Sequence, residues 1–436
     1  MKLNTPKITY SEVTVGMMLF FSYMYTMADV IFRNKIIMFG YLAFALIMAL
    51  IPHLCMKRIP VVFDSITLLW LAGFMIALLH NRRLQAGDYS AKMIFWFGMV
   101  LIMVLIRGLE SWTELFKKGM FFFTCVHVIF AWLFKFVPPL FYKFSSMFEG
   151  VTRATMQMHY SRGYLLGITT HYSTLAIYLG NGAVVLWVMY KEATTQREKK
   201  KYMVIFIATL ITLAMIGKRG MLIFVAITFG IYELFTKAND LRKVLPIVLK
   251  YVAIATVAVG GLVISAYTVM PQLMMTLTRF AEGTEGTDIT SGRSRMWLLA
   301  IQQFLKHPLF GIGWFGYRDA YETAWYHGSS YQKLDTHNVY LQLLCETGLF
   351  GFVLFLVILI LPLVHAVKDL RYSIFRMKDR KALKYEQELA IGVILQVLFL
   401  LYCFTGNPLY DPQNFIIYFL SIAMTLNAHT KIRELQ

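Results

Sequence analysis

His337 and Asn338 are followed by nine residues and then by Gly348 and Gly351, in the stretch THNVYLQLLCETGLFG. Histidine accepts a proton near neutral pH and can serve as a general base. Here it stands where a long apolar run begins. Asp335 or Thr336 is a suitable cap for that helix, which would place His337 and Asn338 in its first turn. Asn338 would then orient the ring or bind a hydroxyl. Gly348 and Gly351 permit the close helix approach common in membranes. Glu346, deeper in the same run, suggests a pairing with a buried cation. An interfacial histidine without chemistry is the plainer alternative.

Anion-binding chemistry is offered by Arg293 and Arg295 in SGRSRMWLLAIQQFLKHPLFGIGWFGY. Thr290 or Ser291 can cap a helix starting near Gly292, with Trp297, Ile301 and Phe304 on one face of an amphipathic surface helix. Cations in a first turn oppose the helix dipole, so they are not placed for helix stability. Beside the free N–H groups of a helix start, their forked donors suit phosphate oxygens. Plain headgroup binding explains them equally well. Pro308 ends the helix, and Gly311 and Gly313 give a turn after it. Lys218 and Arg219 sit at a tight junction between two apolar runs in AMIGKRGMLIF. Ionisable groups at membrane depth are costly and usually functional, although a snorkelling pair at a hairpin tip has the same appearance. Thr169, Thr170, His171, Ser173 and Thr174 form a polar patch within a run read as a span, preceded by Arg153 and Arg162. Substrate contact and helix–helix hydrogen bonding are equal readings of it. The linker GNPLYD adds Asn407 and Asp411.

These groups need a scaffold, and composition names it. Of 436 residues, 58% are hydrophobic and 15% charged, with a mean hydropathy of +0.59. Apolar runs of about 20 residues match the length of a bilayer-crossing helix. The class is an all-α polytopic membrane protein. Candidate spans lie near 13–32, 36–54, 61–79, 93–106, 119–137, 164–190, 202–217, 219–236, 245–270, 338–364, 387–405 and 412–428, about twelve in all. The net charge of +18 suits basic cytoplasmic linkers rather than nucleic acid. With the basic linkers at 191–201, 236–243 and 365–386 on one side, both termini are cytoplasmic. Arg82 and Arg83 then fall outside. Residues 1–270 carry the first nine spans, 271–337 a large extracytoplasmic loop with short helices, and 338–436 the last three. That loop balances six basic against six acidic residues. The first apolar run lacks a small-residue cleavage site and reads as a retained helix. Cys55, Cys125, Cys345 and Cys403 lie in or beside apolar runs without metal-ligand spacing. No repeat relates the two halves, which lowers the case for a secondary transporter.

Taken together, these pieces resemble the O-antigen ligase and O-antigen polymerase (Wzy-like) superfamily. The carriers are His337-Asn338 with Gly348 and Gly351, the Arg293, Arg295 and Trp297 helix start with Arg295 and Leu299 in an Arg-x-x-x-Leu element, the turn from Pro308 to Gly313, and Arg219 in a Lys-Arg-Gly setting. The match is close from 215 to 351 and weak before 160. The resemblance implies a metal-independent, inverting glycosyltransferase of the GT-C-like type, without cofactor, in the bacterial plasma membrane. Its donor would be an undecaprenyl-diphosphate-linked glycan, its site extracytoplasmic. His337 would be the base, as a histidine with its ordinary pKa near 6.5, and Arg219 with Arg293 or Arg295 would bind the diphosphate. Asn338, Arg162 and His171 are further substrate-binding candidates. A polymerase would use another lipid-linked repeat unit as acceptor. A ligase would use lipid A–core, and some relatives use protein. The GITTHYSTLAIYLGNG stretch and the GNPLYD linker resemble the polymerase side. Membrane lipids, a flippase and a chain-length regulator are the expected partners. A flippase or transporter is the rival from another class, but it needs no histidine at the outer face.

Overall fold

The computed structural model describes residues 8–31, 35–56, 64–80, 87–109, 112–237, 244–247, 249–250, 293–325, 335–377 and 382–434. The protein is an all-α polytopic membrane protein, with no strand among the described residues. Its helices are α1 Tyr10–Met24, α2 Ala28–Ile31, α3 Lys35–Cys55, α4 Ser65–Leu79, α5 Gly87–Ile106, α6 Trp112–Phe136, α7 Pro138–Ser145, α8 Gly150–Ser161, α9 Tyr172–Glu192, α10 Gln196–Ile216 and α11 Arg219–Lys237. They continue with α12 Arg293–Lys306, α13 Gly316–Trp325, α14 Val339–Arg376, α15 Ala382–Tyr402 and α16 Pro412–Glu434.

Seven of these, α3, α6, α9, α11, α14, α15 and α16, are long and apolar enough to cross a membrane. Helices α1, α4, α5 and α10 occupy four more of the twelve positions read from the sequence, as shorter or more polar helices. The remaining candidate, 245–270, lies outside the described residues from 251 onward. One expected span is shortened. The run 164–190 is helical only from Tyr172, because Gly163 and Gly167 take positive φ (82° and 53°) and turn the chain before it. Thr169 donates to the Leu166 carbonyl at 2.6 Å, and the His171 ring accepts from the Ser173 amide at 3.1 Å, capping α9.

At the centre stand α9, α15 and α16, the most enclosed of the crossing helices. Helix α16 packs against α1, α5, α14 and α15, and α15 packs also on α9 and α11. Helix α3 turns Ile37, Phe44, Ile47 and Leu54 outward, as a lipid-facing helix does. Lipid tails are as apolar as leucine, so helix association in a bilayer rests on close packing and hydrogen bonds. Both are present. Gly182 lies against Thr124, and Gly392 against Thr425. Tyr418 donates to the Leu359 carbonyl at 2.9 Å, Tyr340 to Leu400 at 2.9 Å and Tyr178 to Ser22 at 2.6 Å.

Polar groups collect at the two ends of the bundle. At one end Glu233 meets Lys191, Lys237 and Lys250 at 3.6, 3.0 and 2.8 Å. Glu388 accepts from Thr113 there at 2.7 Å, and Arg107 pairs with Asp64. Lys191 and Glu233 lie near the C-terminal ends of α9 and α11, so the starts of those helices, with His171 and Lys218, share the opposite end.

The 38 residues of α14 are not one straight rod. Gly348 breaks it, at φ 63° and ψ −169°, a region open essentially to glycine alone. The break leaves backbone groups without helical partners, and the turn after α12 supplies them. Ile312 and Gly313 donate to the carbonyls of Cys345 and Glu346 at 3.1 and 2.9 Å, while Leu349 and Phe350 donate to Pro308 and Leu309 at 2.8 and 3.4 Å. A Cβ on Gly348 would strike the Leu309 backbone, and one on Gly311 would lie 2.6 Å from the Cys345 carbonyl. Gly348 and Gly311 therefore seat the Pro308–Gly313 turn in α14, which corrects the reading of Gly348 as a helix–helix packing device.

Gly348→Ala should lower the detergent melting temperature sharply, since strain alone costs about 1–3 kcal/mol and the clash adds to it. Gly351→Ala should cost less, because its Cβ would meet only the Thr347 side chain. Equal melting curves for the two variants would refute this assignment.

Candidate functional site

His337 sits just before α14, not inside it. Asn338 is the helix cap: its side-chain oxygen accepts from the Leu341 amide at 3.0 Å. This corrects the expectation that Asp335 or Thr336 caps and that His337 and Asn338 lie in the first turn. His337 instead takes a left-handed backbone, φ 54°, which costs a non-glycine residue roughly 1–2 kcal/mol. Bonds on both sides hold it there. Thr336 Oγ1 accepts from the Asn338 amide at 3.1 Å and donates to the Asn338 carbonyl at 2.7 Å. Val339 donates to the Cys403 carbonyl at 2.8 Å. From α12, Trp297 Nε1 donates to the Thr336 carbonyl at 3.0 Å. The peptide on either side of the imidazole is thus fixed while the ring stays half-buried.

Behind His337 runs a buried polar network. Asp335 takes a two-pronged pair from Arg318, with Nε at 2.6 Å from Oδ1. Gln342, fully buried, donates to Asp335 at 3.2 Å and to Glu346 at 3.1 Å. Its oxygen accepts from the Thr336 amide at 3.2 Å and from Asn407. Glu346, also fully buried, accepts from Tyr410 at 2.8 Å and from the Tyr317 amide at 3.4 Å. Buried polar groups are costly unless paired, and the side chains of Gln342 and Glu346 are paired. Among the described residues Glu346 meets hydrogen-bond donors rather than the buried cation expected from the sequence. It locks the loop helices to the crossing helices.

Around His337 lie cations. Arg293 opens α12 as expected, half-buried, and its charge acts on both His337 and Lys218. Lys218 follows Gly217, whose left-handed backbone (φ 74°) ends α10 and turns the chain into α11. Burial, then the charges of Arg293 and Lys218, pull the His337 pKa down to about 4, and Asp335 only partly opposes them. A histidine of ordinary pKa is therefore not what this site holds. Burial and then Arg293 lower Lys218 to about 7. His171 is brought to about 3 by burial, His159, Lys218 and His337 in turn. Tyr402, at the end of α15, lies within reach of Arg293 and Asp411. A site of gathered positive charge with a neutral imidazole can hold an anion and take a proton.

Not every sequence candidate joins this group. Arg295 is exposed on α12, and Arg162 is exposed at the end of α8. Arg219 begins α11, but its side chain lies outside the described residues, as do the cap candidates Thr290 and Ser291. The inward side of α12 is formed by Met296, Leu299 and Ala300 against Tyr317 and Cys345, while Ile301 is exposed. Lys218, the neighbour of Arg219 at the same junction, belongs to the cluster. The network of Gln342, Glu346 and Tyr410 was not anticipated. Its signal was present: Asn338, Gln342 and Glu346 recur every four residues on one face of an apolar helix.

Comparison with known proteins accounts for this arrangement in part. Residues 204–356 match the family model described as O-antigen ligase. No curated protein matches the chain. The O-antigen ligase segment spans Lys218, Arg219, Arg293, Arg295, His337, Asn338 and Gly348, and so bears out the superfamily resemblance where the motifs lie. His171, Arg162 and the 402–411 region stand outside it.

An NMR titration of ring-labelled histidine should place the His337 midpoint near pH 4 in donor-free protein. Arg293→Met removes a cation that disfavours the imidazolium, so its midpoint should rise towards about 6.5. An unchanged midpoint would place Arg293 away from the ring.

Proposed function

We propose that the protein is a membrane glycosyltransferase that polymerises undecaprenyl-diphosphate-linked oligosaccharide repeat units into a surface polysaccharide, at the extracytoplasmic face of a bacterial plasma membrane. The observation that carries the reading is the half-buried Arg293 at a helix start beside His337, with no carboxylate on it among the described residues. A guanidinium that meets no carboxylate among the described residues suits the diphosphate of the donor, and the neutral imidazole suits the acceptor hydroxyl.

The reaction forms a bond from the acceptor oxygen to the anomeric carbon and breaks the bond from that carbon to the diphosphate oxygen. The bonding pair leaves with undecaprenyl diphosphate, which gains one negative charge. Attack opposite the leaving group inverts the anomeric centre. The acceptor proton passes to His337 and later to water. Arg293, with Arg219 or Arg295 as further candidates, stabilises the growing charge without a metal ion. A doubly charged donor also offsets the cations that depress His337, so the imidazole becomes a stronger base once the donor is seated. Asn338 keeps its amide nitrogen for a hydroxyl, and His171 is close enough in the electrostatic sense to meet the glycan.

A ligase using lipid A–core is the second reading, favoured by the description of the matching family. The two differ in acceptor. A flippase and a chain-length regulator are proposed as partners of the polymerase.

Purified protein in nanodiscs, given only lipid-linked repeat units and a chelator, should build a glycan ladder. His337→Ala should reduce it about 10²–10⁴-fold and Arg293→Ala about 10²–10³-fold. Transfer to lipid A–core without a ladder would establish the ligase. Full activity of either variant would remove that residue from the mechanism.

A further inference from the structure

Between α9, α11, α15 and α16 lies a cavity that the mechanism above does not use. Leu395 and Phe399 of α15 belong to its apolar wall, and three polar side chains interrupt that wall: Asn181 of α9, Tyr402 of α15 and Asn414 of α16. Asn414 is 3% exposed, and neither its amide nitrogen nor its oxygen has a hydrogen-bond partner among the described residues. Buried asparagines elsewhere are used. Asn427 accepts from the Gly108 amide at 3.2 Å and donates to Glu388 at 3.4 Å, and Asn407 donates to Gln342. A buried polar group without a partner is costly, and folded proteins seldom keep one without a use for it.

Hydrogen bonds tie this cavity to the candidate site. Tyr402 and Pro408 line it where α15 ends and before α16 begins. Cys403, next to Tyr402, takes the amide of Val339 at 2.8 Å, and Val339 stands two residues after His337. Asn407, next to Pro408, is bonded to Gln342 of α14. A Cβ on Gly406 would lie 2.6 Å from the Tyr402 hydroxyl, so the glycine of the GNPLYD linker lets that ring stand at the rim. Leu395 lies two turns deeper along α15, roughly 10 Å. The cavity therefore runs inward from the end of the bundle that holds His337.

We propose that this cavity is a subsite for one hydroxyl group of the glycan, which enters past Tyr402 and is held between the carboxamides of Asn181 and Asn414. The proposal rests on the reading of the chain as a transferase of lipid-linked glycans. The walls select the guest. No charged side chain lines the cavity, so an ion does not suit it. An isoprenoid or acyl tail has no donor or acceptor to offer a carboxamide. The Asn414 side chain presents both donor hydrogens and an acceptor oxygen, and a hydroxyl can meet both kinds. The cavity volume is about 20 Å³, room for one water-sized group but not for a sugar ring. A hydroxymethyl arm fits those limits, with its carbon against the apolar wall. Water has the same chemistry as that hydroxyl, and the test separates the two.

The test uses the full protein in nanodiscs and two probes: lipid-linked repeat units isolated from the host, and bare undecaprenyl diphosphate. Asn414→Leu should weaken binding of the glycan-bearing lipid about tenfold to a hundredfold and leave binding of the bare lipid unchanged. Asn181→Leu should act in the same direction. Because both side chains grip one hydroxyl, the double variant should lose less than the product of the single losses. Asn414→Leu takes two unpartnered polar atoms out of an apolar wall, so its melting temperature should hold. Unchanged affinity for both probes in both variants means that the cavity takes water alone, which overturns the proposal while the transferase reading stands. Equal weakening of both probes, with a lower melting temperature, marks a structural role and overturns it as well. If the wild type binds neither probe, the transferase reading falls and this subsite with it.

Discussion

The break in α14 at Gly348 is the constraint on which the site end of the protein depends. A continuous helix would consume the Cys345 and Glu346 carbonyls and the Leu349 and Phe350 amides internally. Broken, it offers all four to the turn at 308–313. Each such bond contributes about 1 kcal/mol net in water, but an unmet backbone group at membrane depth costs several. The turn and the break therefore exist together or not at all. Once the turn is seated, α12 and α13 are anchored at their junction. That anchorage lets Trp297 reach the Thr336 carbonyl and Tyr317 reach Glu346. Arg293, at the far end of α12, is brought to His337 by the same docking.

Charge placement at the site works against stability. Arg293 and Lys218 act on one another and on two imidazoles, and no carboxylate relieves either cation among the described residues. The polar network behind His337 is arranged the opposite way: Arg318 donates to Asp335, Gln342 donates to Asp335 and accepts from Asn407, and Tyr410 donates to Glu346. One set of groups is satisfied and rigid, and the other is left wanting an anion. A protein that needed only a folded loop would have no use for the second set. The proposed donor supplies what is missing, and its binding energy is partly spent relieving repulsion already present.

The sequence carried the crossing helices, the start of α12 at Arg293 and the spacing from His337 to Gly351, because each rests on local pattern. Composition and period fixed the first, a helix-start signature the second, and a motif the third. Three features escaped. Asp335, Thr336 and Asn338 are all good cap types, so type alone does not choose among them. The run Leu165–Ile168 is as apolar as a span, and only the positive φ of Gly163 and Gly167 takes it out of the helix. The depressed pKa of His337 comes first from burial and then from Arg293 and Lys218, all set by segments far apart in the chain, which no window of sequence contains. Asn338, Gln342 and Glu346 were legible as a stripe, but their partners Tyr410 and Asn407 lie beyond α15.

Strain at His337 has a use in this setting. A left-handed residue persists only where its surroundings over-determine it, and here Thr336 and Asn338 are each bonded on the helix side while Trp297 holds the loop side. The cost of aiming the imidazole is then met in folding rather than at the moment of reaction. Loosening it would leave the ring near the cations but free to turn from an acceptor, and proximity without orientation forfeits much of the advantage of a bound base. Under the proposed reaction the cations and the base also fall into order. The site is a poor proton acceptor while empty and a better one once an anion lies beside it. An empty site is thus guarded against idle protonation by the same charges that recruit the donor.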